Sequence, residues 1–183
     1  MIIWILIGVL VLLVVGSIMI YNSLVSMRQQ TMNAWGQIDV QLKRRYDLIP
    51  NLVETVKGYM KHEQDTLQRV IEARNMAVNA TGVKEKAAAE TAVASALSGF
   101  FAIAEAYPDL KANENMLSLQ EELKSTENKI AFARQYYNDV VTRYNTMLET
   151  FPSALFASAG GFKPRELFEI ESPVEREPVK VQF

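Results

Sequence analysis

The first twenty-seven residues carry no charged side chain, and Met1 to Tyr21 (MIIWILIGVLVLLVVGSIMIY) is almost wholly apolar. At about 1.5 Å per residue, some twenty helical residues span roughly 30 Å, the thickness of a bilayer's hydrocarbon core. The rest of the chain is read as a body hung from that helix. A secretory signal peptide would carry a basic n-region, a shorter apolar core and a small-x-small cleavage site. Here no Lys or Arg precedes the apolar run, and Tyr21-Asn22-Ser23-Leu24 offers no such site. A retained anchor over residues 1–22 is expected. Trp4 and Tyr21 stand near its two ends, where amphipathic rings favour the membrane interfaces. With no cysteine, and Ile2 where myristoylation needs glycine, lipidation is no substitute.

Basic side chains set the expected orientation. Arg28, then Lys43, Arg44 and Arg45, follow the apolar helix and none precedes it. The positive-inside bias therefore places the N-terminus outside and the body in the cytoplasm, in a single pass.

About 160 residues after the anchor suffice for one domain with a sizeable core. A net charge of −2 implies no field for nucleic acid, so none is expected as a partner. The absence of cysteine removes disulfides, thiolate zinc sites and thiol nucleophiles together. Eight glycines, six prolines and no alternating apolar pattern argue against a β-rich body.

Helical spacing is clearest late in the chain. Met116, Leu119, Leu123, Thr126, Ile130, Ala133, Tyr137, Val140, Tyr144, Met147 and Phe151 step by three and four, a coiled-coil-like seam. Tyr107-Pro108-Asp109 marks the start of that helix and Phe151-Pro152 its end. Lys84–Ala106 reads as an alanine-rich, well-buried helix opening after Thr81-Gly82. Between Ser23 and Ala80, the apolar residues Leu42, Ile49, Leu52, Val56, Tyr59, Leu67 and Val70 keep helical spacing across Pro50. A pair of helices kinked at Pro50 is expected, with Asp47 as N-cap of the second piece. On that reading Pro50→Ala changes stability little and Asp47→Ala costs about 1 kcal/mol. The period fades after Ser153, where Gly160-Gly161, Pro164, Pro173 and Pro178 mark a loop and tail. The expected fold is all-α: an N-terminal transmembrane helix, then an elongated antiparallel bundle of three to four long helices over residues 23–151, then an irregular tail over residues 152–183.

The search for chemistry ends without a catalytic, cofactor or metal site. His62-Glu63 opens like a zinc-protease motif, but Thr66 stands where the second histidine belongs and the chain has no other. Di-iron bundles need two Glu-x-x-His pairs. Gly160-Gly161-Phe162 lacks the Gly-Lys-Ser/Thr of a phosphate loop, and Ser153, Ser158 and Ser172 have no histidine nearby in sequence. His62 is therefore expected to be an exposed or capping residue. The densest polar run, Lys43-Arg44-Arg45-Tyr46-Asp47, reads as a helix C-terminus whose charges complement the dipole. The sharper alternative is a basic collar near anionic headgroups or a nucleic-acid patch, which Asp39 and Glu54 dilute. Tyr136, Tyr137 and Tyr144 are expected in or near the core.

The run Gln41-Leu42-Lys43-Arg44-Arg45-Tyr46-Asp47-Leu48-Ile49-Pro50-Asn51-Leu52-Val53, with Val56-Lys57-Gly58-Tyr59, His62-Glu63 and Ala73-Arg74, resembles the signature of the LemA family. So do Tyr107-Pro108-Asp109-Leu110-Lys111-Ala112, Leu119-Gln120-Glu121-Glu122-Leu123, Ala133-Arg134, Tyr136-Tyr137-Asn138, Tyr144-Asn145, Phe151-Pro152 and Gly161-Phe162. The resemblance runs from the membrane helix to about Glu169. It implies an anchored helical bundle in the bacterial cytoplasmic membrane, with no assigned catalysis and no cofactor. Family members occur beside genes for membrane metalloproteases of the HtpX type or for TPM-domain membrane proteins, which are candidate partners with the lipid bilayer and a second copy of the chain. One relative is linked to membrane-organelle formation. Three functions follow as expectations. The first is a structural or interaction protein assembling with itself or a membrane partner. The second is an enzyme with a carboxylate or Tyr-Arg site drawn from Asp47, Glu63 or Arg74. The third is a membrane-remodelling protein.

Overall fold

The apolar opening begins a helix that runs well beyond the membrane segment. In the computed structural model, which describes residues 1–169, α1 extends from Ile2 to Val56 with Pro50 inside it. The expected kinked pair is therefore one helix, and Asp47 caps nothing. It lies on the exposed face, paired with Lys43 at 3.0 Å. The physical reason lies in one carbonyl. Proline deletes one helical N–H, the one that residue 50 would donate to the oxygen of Tyr46. Arg74 Nε donates to that oxygen instead, at 3.3 Å. The helix ends only before residues 57–63, where Gly58 stands and His62 is exposed.

Five further helices follow among the described residues: α2 (Gln64–Asn79), α3 (Gly82–Ala104), α4 (Pro108–Lys111), α5 (Glu114–Glu149) and α6 (Ser153–Ala159). Local chemistry sets their starts. The Glu85 carboxylate accepts from both the N–H and the hydroxyl of Thr81 at 3.1 Å, and Gly82 takes a positive φ as α3 opens. Pro108 opens α4, where its missing N–H is no loss. Asn113 Oδ1 accepts the Met116 N–H at 3.1 Å, tying down a free donor in the first turn of α5. The chain is all-α among its described residues, as the spacing predicts, and its first helix carries a segment of membrane-spanning length. α3 is also long and apolar enough to cross a membrane. Its buried face, with Ala87, Glu90, Val93 and Leu97, is that of a core helix.

Two units share α1 and α5. The first comprises Met1–Ile38 and Ala133–Leu167, the second Asp39–Phe132 with Phe168 and Glu169. In the second unit, Leu42, Ile49, Leu52 and Val56 of α1 are buried, as are Val70 and Ala77 of α2, Val93, Leu97 and Phe100 of α3, and Met116 and Leu123 of α5. α2 and α3, joined by a short link, pack on one another. Each large apolar side chain buried in this way contributes roughly 1.5–3 kcal/mol. The α5 seam is buried or half-buried from Met116 to Met147, while Phe151 at its end is 78% exposed.

In the first unit, Leu24, Tyr144, Ala157 and Phe162 form a core against which Ile20, Met27, Met147 and Phe156 pack. The Tyr21 ring meets Phe162 edge-on at 5.7 Å, and the Arg28 guanidinium lies 5.2 Å from the centre of the same ring. Trp35 stacks at a tilt on Tyr137, 5.5 Å between centroids. α6 lies within the stretch whose glycines and prolines suggested a loop. It ends in a Schellman turn: Gly161 takes φ +66°, its N–H donates to Ser158, and the Phe162 N–H reaches back to Ala157 at 3.0 Å. Gly161 thereby directs Phe162 into the core. Pro173 and Pro178, and Ser172 with them, lie outside the described residues.

Candidate functional site

The polar run of α1 is the one place where sequence and packing conflict. Leu42, Arg45, Ile49, Leu52 and Val56 share one helical stripe by their three- and four-residue steps, so Arg45 occupies a core position. The expected helix C-terminus at this run is thus a mid-helix segment, and its charges separate by face. Lys43 pairs with Asp47 in solvent, and Arg44 with Glu122 at 3.7 Å. Arg45 points inward and is 3% exposed.

Its counter-charge comes from α3. Glu90 is 1% exposed and sits on the face of Ala87, Val93 and Leu97. Arg45 Nη2 forms an ion pair with Glu90 Oε2, while the Tyr46 hydroxyl donates to Glu90 Oε1. Consecutive residues of α1 therefore grip both oxygens of one buried carboxylate. Glu127 of α5 completes the group, its Oε2 lying 3.8 Å from Arg45 Nη1. At the edge, Lys86 Nζ pairs with Asp39 at 3.2 Å.

Electrostatics follows from burial. Desolvation lowers the Arg45 pKa, opposed by the Glu127 carboxylate and by Tyr46. Burial pushes the Tyr46 phenol up to about 12, with Arg45 pulling it down and Asp39 pushing it up. With its pKa so far above neutrality Tyr46 keeps its proton, and its hydroxyl serves Glu90 as a hydrogen-bond donor. The assembly therefore crosslinks α1, α3 and α5 in the second unit. A cleft of about 400 Å³ opens beside it, lined by Arg45, Leu97, Phe101, Leu123, Lys124 and Glu127 among others. Arg45 Nε has no hydrogen-bond partner among the described residues. A second cleft of about 640 Å³ lies over Val53, Lys57, Met60, Leu67 and Ile71.

The residues named for an enzymatic site go to separate partners. Asp47 is on Lys43. Glu63 accepts from the Tyr107 hydroxyl at 3.3 Å. Arg74 serves the Tyr46 carbonyl and, through Nη1, Asn75 at 3.1 Å. Among the described residues no three His, Asp or Glu side chains converge as a metal site would require. Tyr137 and Tyr144 are buried as expected, whereas Tyr136 is 47% exposed. The Tyr137 hydroxyl donates to the Glu166 carbonyl at 2.9 Å, and burial raises the pKa of both buried tyrosines. Glu90 was not singled out from the sequence. Its signal was present: a lone acid at the helical step of Ala87, Val93 and Leu97 in an alanine-rich segment.

Comparison with known proteins places the geometry in context. Residues 34–183 match the LemA family model. Protein LemA of Metamycoplasma hominis is 28% identical over 134 residues, covering 71% of this chain and 60% of that protein. Magnetosome protein MamQ 2 of Paramagnetospirillum magneticum is 24% identical over 188 residues, covering 88% of this chain and 69% of its own length. Magnetosome protein MamQ of Magnetospirillum gryphiswaldense is 24% identical over 196 residues, 93% of this chain and 72% of that protein. The chain thus spans between about three-fifths and three-quarters of the relatives it matches.

Proposed function

The chain belongs to the LemA family, and from that premise we propose that it is a membrane-anchored structural protein that assembles with copies of itself or with a membrane partner. The observation that carries this reading is the continuity of α1. The apolar span and the helix that holds Leu24 and Trp35 are one element, with no loop between them. An anchor built into the body fixes where and at what angle that body meets other membrane proteins. Such placement suits an organiser better than a diffusing catalyst. Relatives named for the magnetosome, a cell structure, support the organising role.

The body lies on the cytoplasmic side, with the N-terminus outside. Arg28, Lys43 and Arg44 after the span, against no basic side chain before it, support that placement. Its partners are the bilayer, a second copy, and a membrane metalloprotease of the HtpX type or a TPM-domain membrane protein. Exposed apolar side chains such as Phe132, at 73%, offer contact area for them.

Purification of the full-length protein in mild detergent, with its mass measured, tests this. A particle heavier than one chain with its detergent, or one carrying a second membrane protein, is expected. A lone chain, together with monomer only after crosslinking in intact cells, overturns the proposal. A reporter fused after Phe183 tests the side, because activity from an exported reporter alone reverses it.

A further inference from the structure

The turn after α5 and the short α6 leave two large apolar side chains in the open. Phe151 is 78% exposed and Leu155 63% exposed, although their neighbour Phe156 packs inward on the Leu24–Phe162 core. Phe151 also continues the seam that is buried or half-buried from Met116 to Met147. Two large exposed apolar side chains within five residues mark a candidate contact surface.

The position of the turn says what that is. α6 and Phe162 pack against α1 between Ile20 and Met27. The Phe162 ring lies against both Tyr21, the last residue of the apolar run, and Arg28, the first charge of the chain. Those two are seven residues apart, about 10 Å along a helix. The headgroup layer adds roughly 5–7 Å on each side of the hydrocarbon core, so side chains level with Tyr21 and Leu24 stand within it. Lys163 follows Phe162 directly and is exposed, a second cation next in sequence to the ring that Arg28 approaches. Glu149 is the opposing charge one turn before Pro152.

We propose that the α5–α6 turn is a second membrane contact of this chain, with Phe151 and Leu155 seated in the headgroup layer of the bilayer that α1 crosses. The contact rests on the anchor reading above. It gives the first unit two points on the surface instead of one, which limits how far the body can tilt relative to that surface.

The absence of cysteine makes the test direct. Full-length L155C, L10C and D139C are each nitroxide-labelled and reconstituted in vesicles of phosphatidylcholine and phosphatidylglycerol. Collision with oxygen, which enters the bilayer, is then compared with collision with a water-soluble nickel chelate. L10C reports the span, and D139C an exposed position on α5 ten residues before Glu149. The ratio of oxygen to nickel collisions at L155C is expected to exceed that at D139C severalfold and to fall below that at L10C. A ratio at L155C equal to that at D139C, with L10C deep in lipid, overturns the contact and leaves the anchor standing. An aqueous L10C overturns both. Shielding of L155C from both reagents, with spin broadening that disappears on dilution by unlabelled chain, assigns the patch to a second copy and also overturns the proposal.

Discussion

The side chain of Arg74 completes the hydrogen bonding of a carbonyl that Pro50 leaves open, donating from Nε to the oxygen of Tyr46 at 3.3 Å. An arginine on α2 thereby substitutes for a backbone donor of α1, and helix α1 continues to Val56 where proline would ordinarily end it.

Pro50 and Arg74 should therefore be coupled. Pro50→Ala restores the N–H and removes a ring from the helix interior, and is expected to raise the melting temperature, by up to about 3 kcal/mol of stability. Arg74→Met should cost about 1 kcal/mol in the native background and less beside Pro50→Ala. Thermal melts of the four proteins in detergent give the coupling; strict additivity would detach Arg74 from the proline. Asp47→Ala, an exposed ion pair with no capping role, should move stability by less than about 0.5 kcal/mol.

The buried carboxylate should be expensive to orphan. Glu90→Ala leaves Arg45 charged in the core and is expected to destabilise by about 3–5 kcal/mol, whereas Arg45→Leu with Glu90→Leu should recover most of that loss. Denaturant midpoints for the single and double variants decide it. A double variant as weak as Glu90→Ala would show that the pair does more than neutralise itself.

Alkaline pH should loosen the second unit through Tyr46. Its pKa is about 12 in the fold, against the ordinary 10 of an unfolded tyrosine. Below pH 10 both states hold the proton and the contribution is intact. Between 10 and 12 the unfolded chain releases it first, so stability falls as pH rises, by on the order of 2 kcal/mol. Tyr46→Phe should lose stability at neutral pH yet show a shallower decline across that window. Denaturant titrations at pH 9 and pH 11.5 measure both slopes, and parallel slopes would count against the assignment.

Asn145 holds the segment after α6 in place. Its Nδ2 donates to the Arg165 carbonyl and its Oδ1 accepts the Arg165 N–H, both at 2.9 Å, as a neighbouring strand would. Asn145→Ala should cost about 1–2 kcal/mol and speed hydrogen exchange at the Arg165 amide. Asn145→Asp keeps the acceptor but loses the donor and should show an intermediate effect. Unchanged exchange in Asn145→Ala would mean that Phe162 and Tyr137 hold the segment alone.

Much of the fold was legible because helical spacing reports which face is buried. Met116 to Met147 followed the predicted seam, and the break at Thr81-Gly82 opened α3 as read. What misled was punctuation. Pro50 signals a boundary only if no other group meets the carbonyl of Tyr46, and Arg74 lies 24 residues further on, beyond the reach of a local pattern. Gly160-Gly161 signalled a loop but serves as the end of a helix, since the φ of Gly161 allows the Schellman turn. The polar cluster failed for a related reason. Lys43, Arg44 and Arg45 look alike as a run, and only the step from Leu42 to Ile49 separates the one that faces inward. Phe151 extended the seam in sequence while its ring stayed outside, because α5 ends at Glu149.

The uninterrupted passage of α1 out of the apolar segment has a mechanical consequence. A span longer than the local bilayer adapts by tilting, and a flexible joint would absorb that tilt. Between Tyr21 and Arg28 there is no joint, since Leu24 is locked against Tyr144 and Phe162. Any change in lipid thickness that leans the span must lean the first unit with it. The helix is a lever, and a thinner bilayer that tilts the span moves its far end.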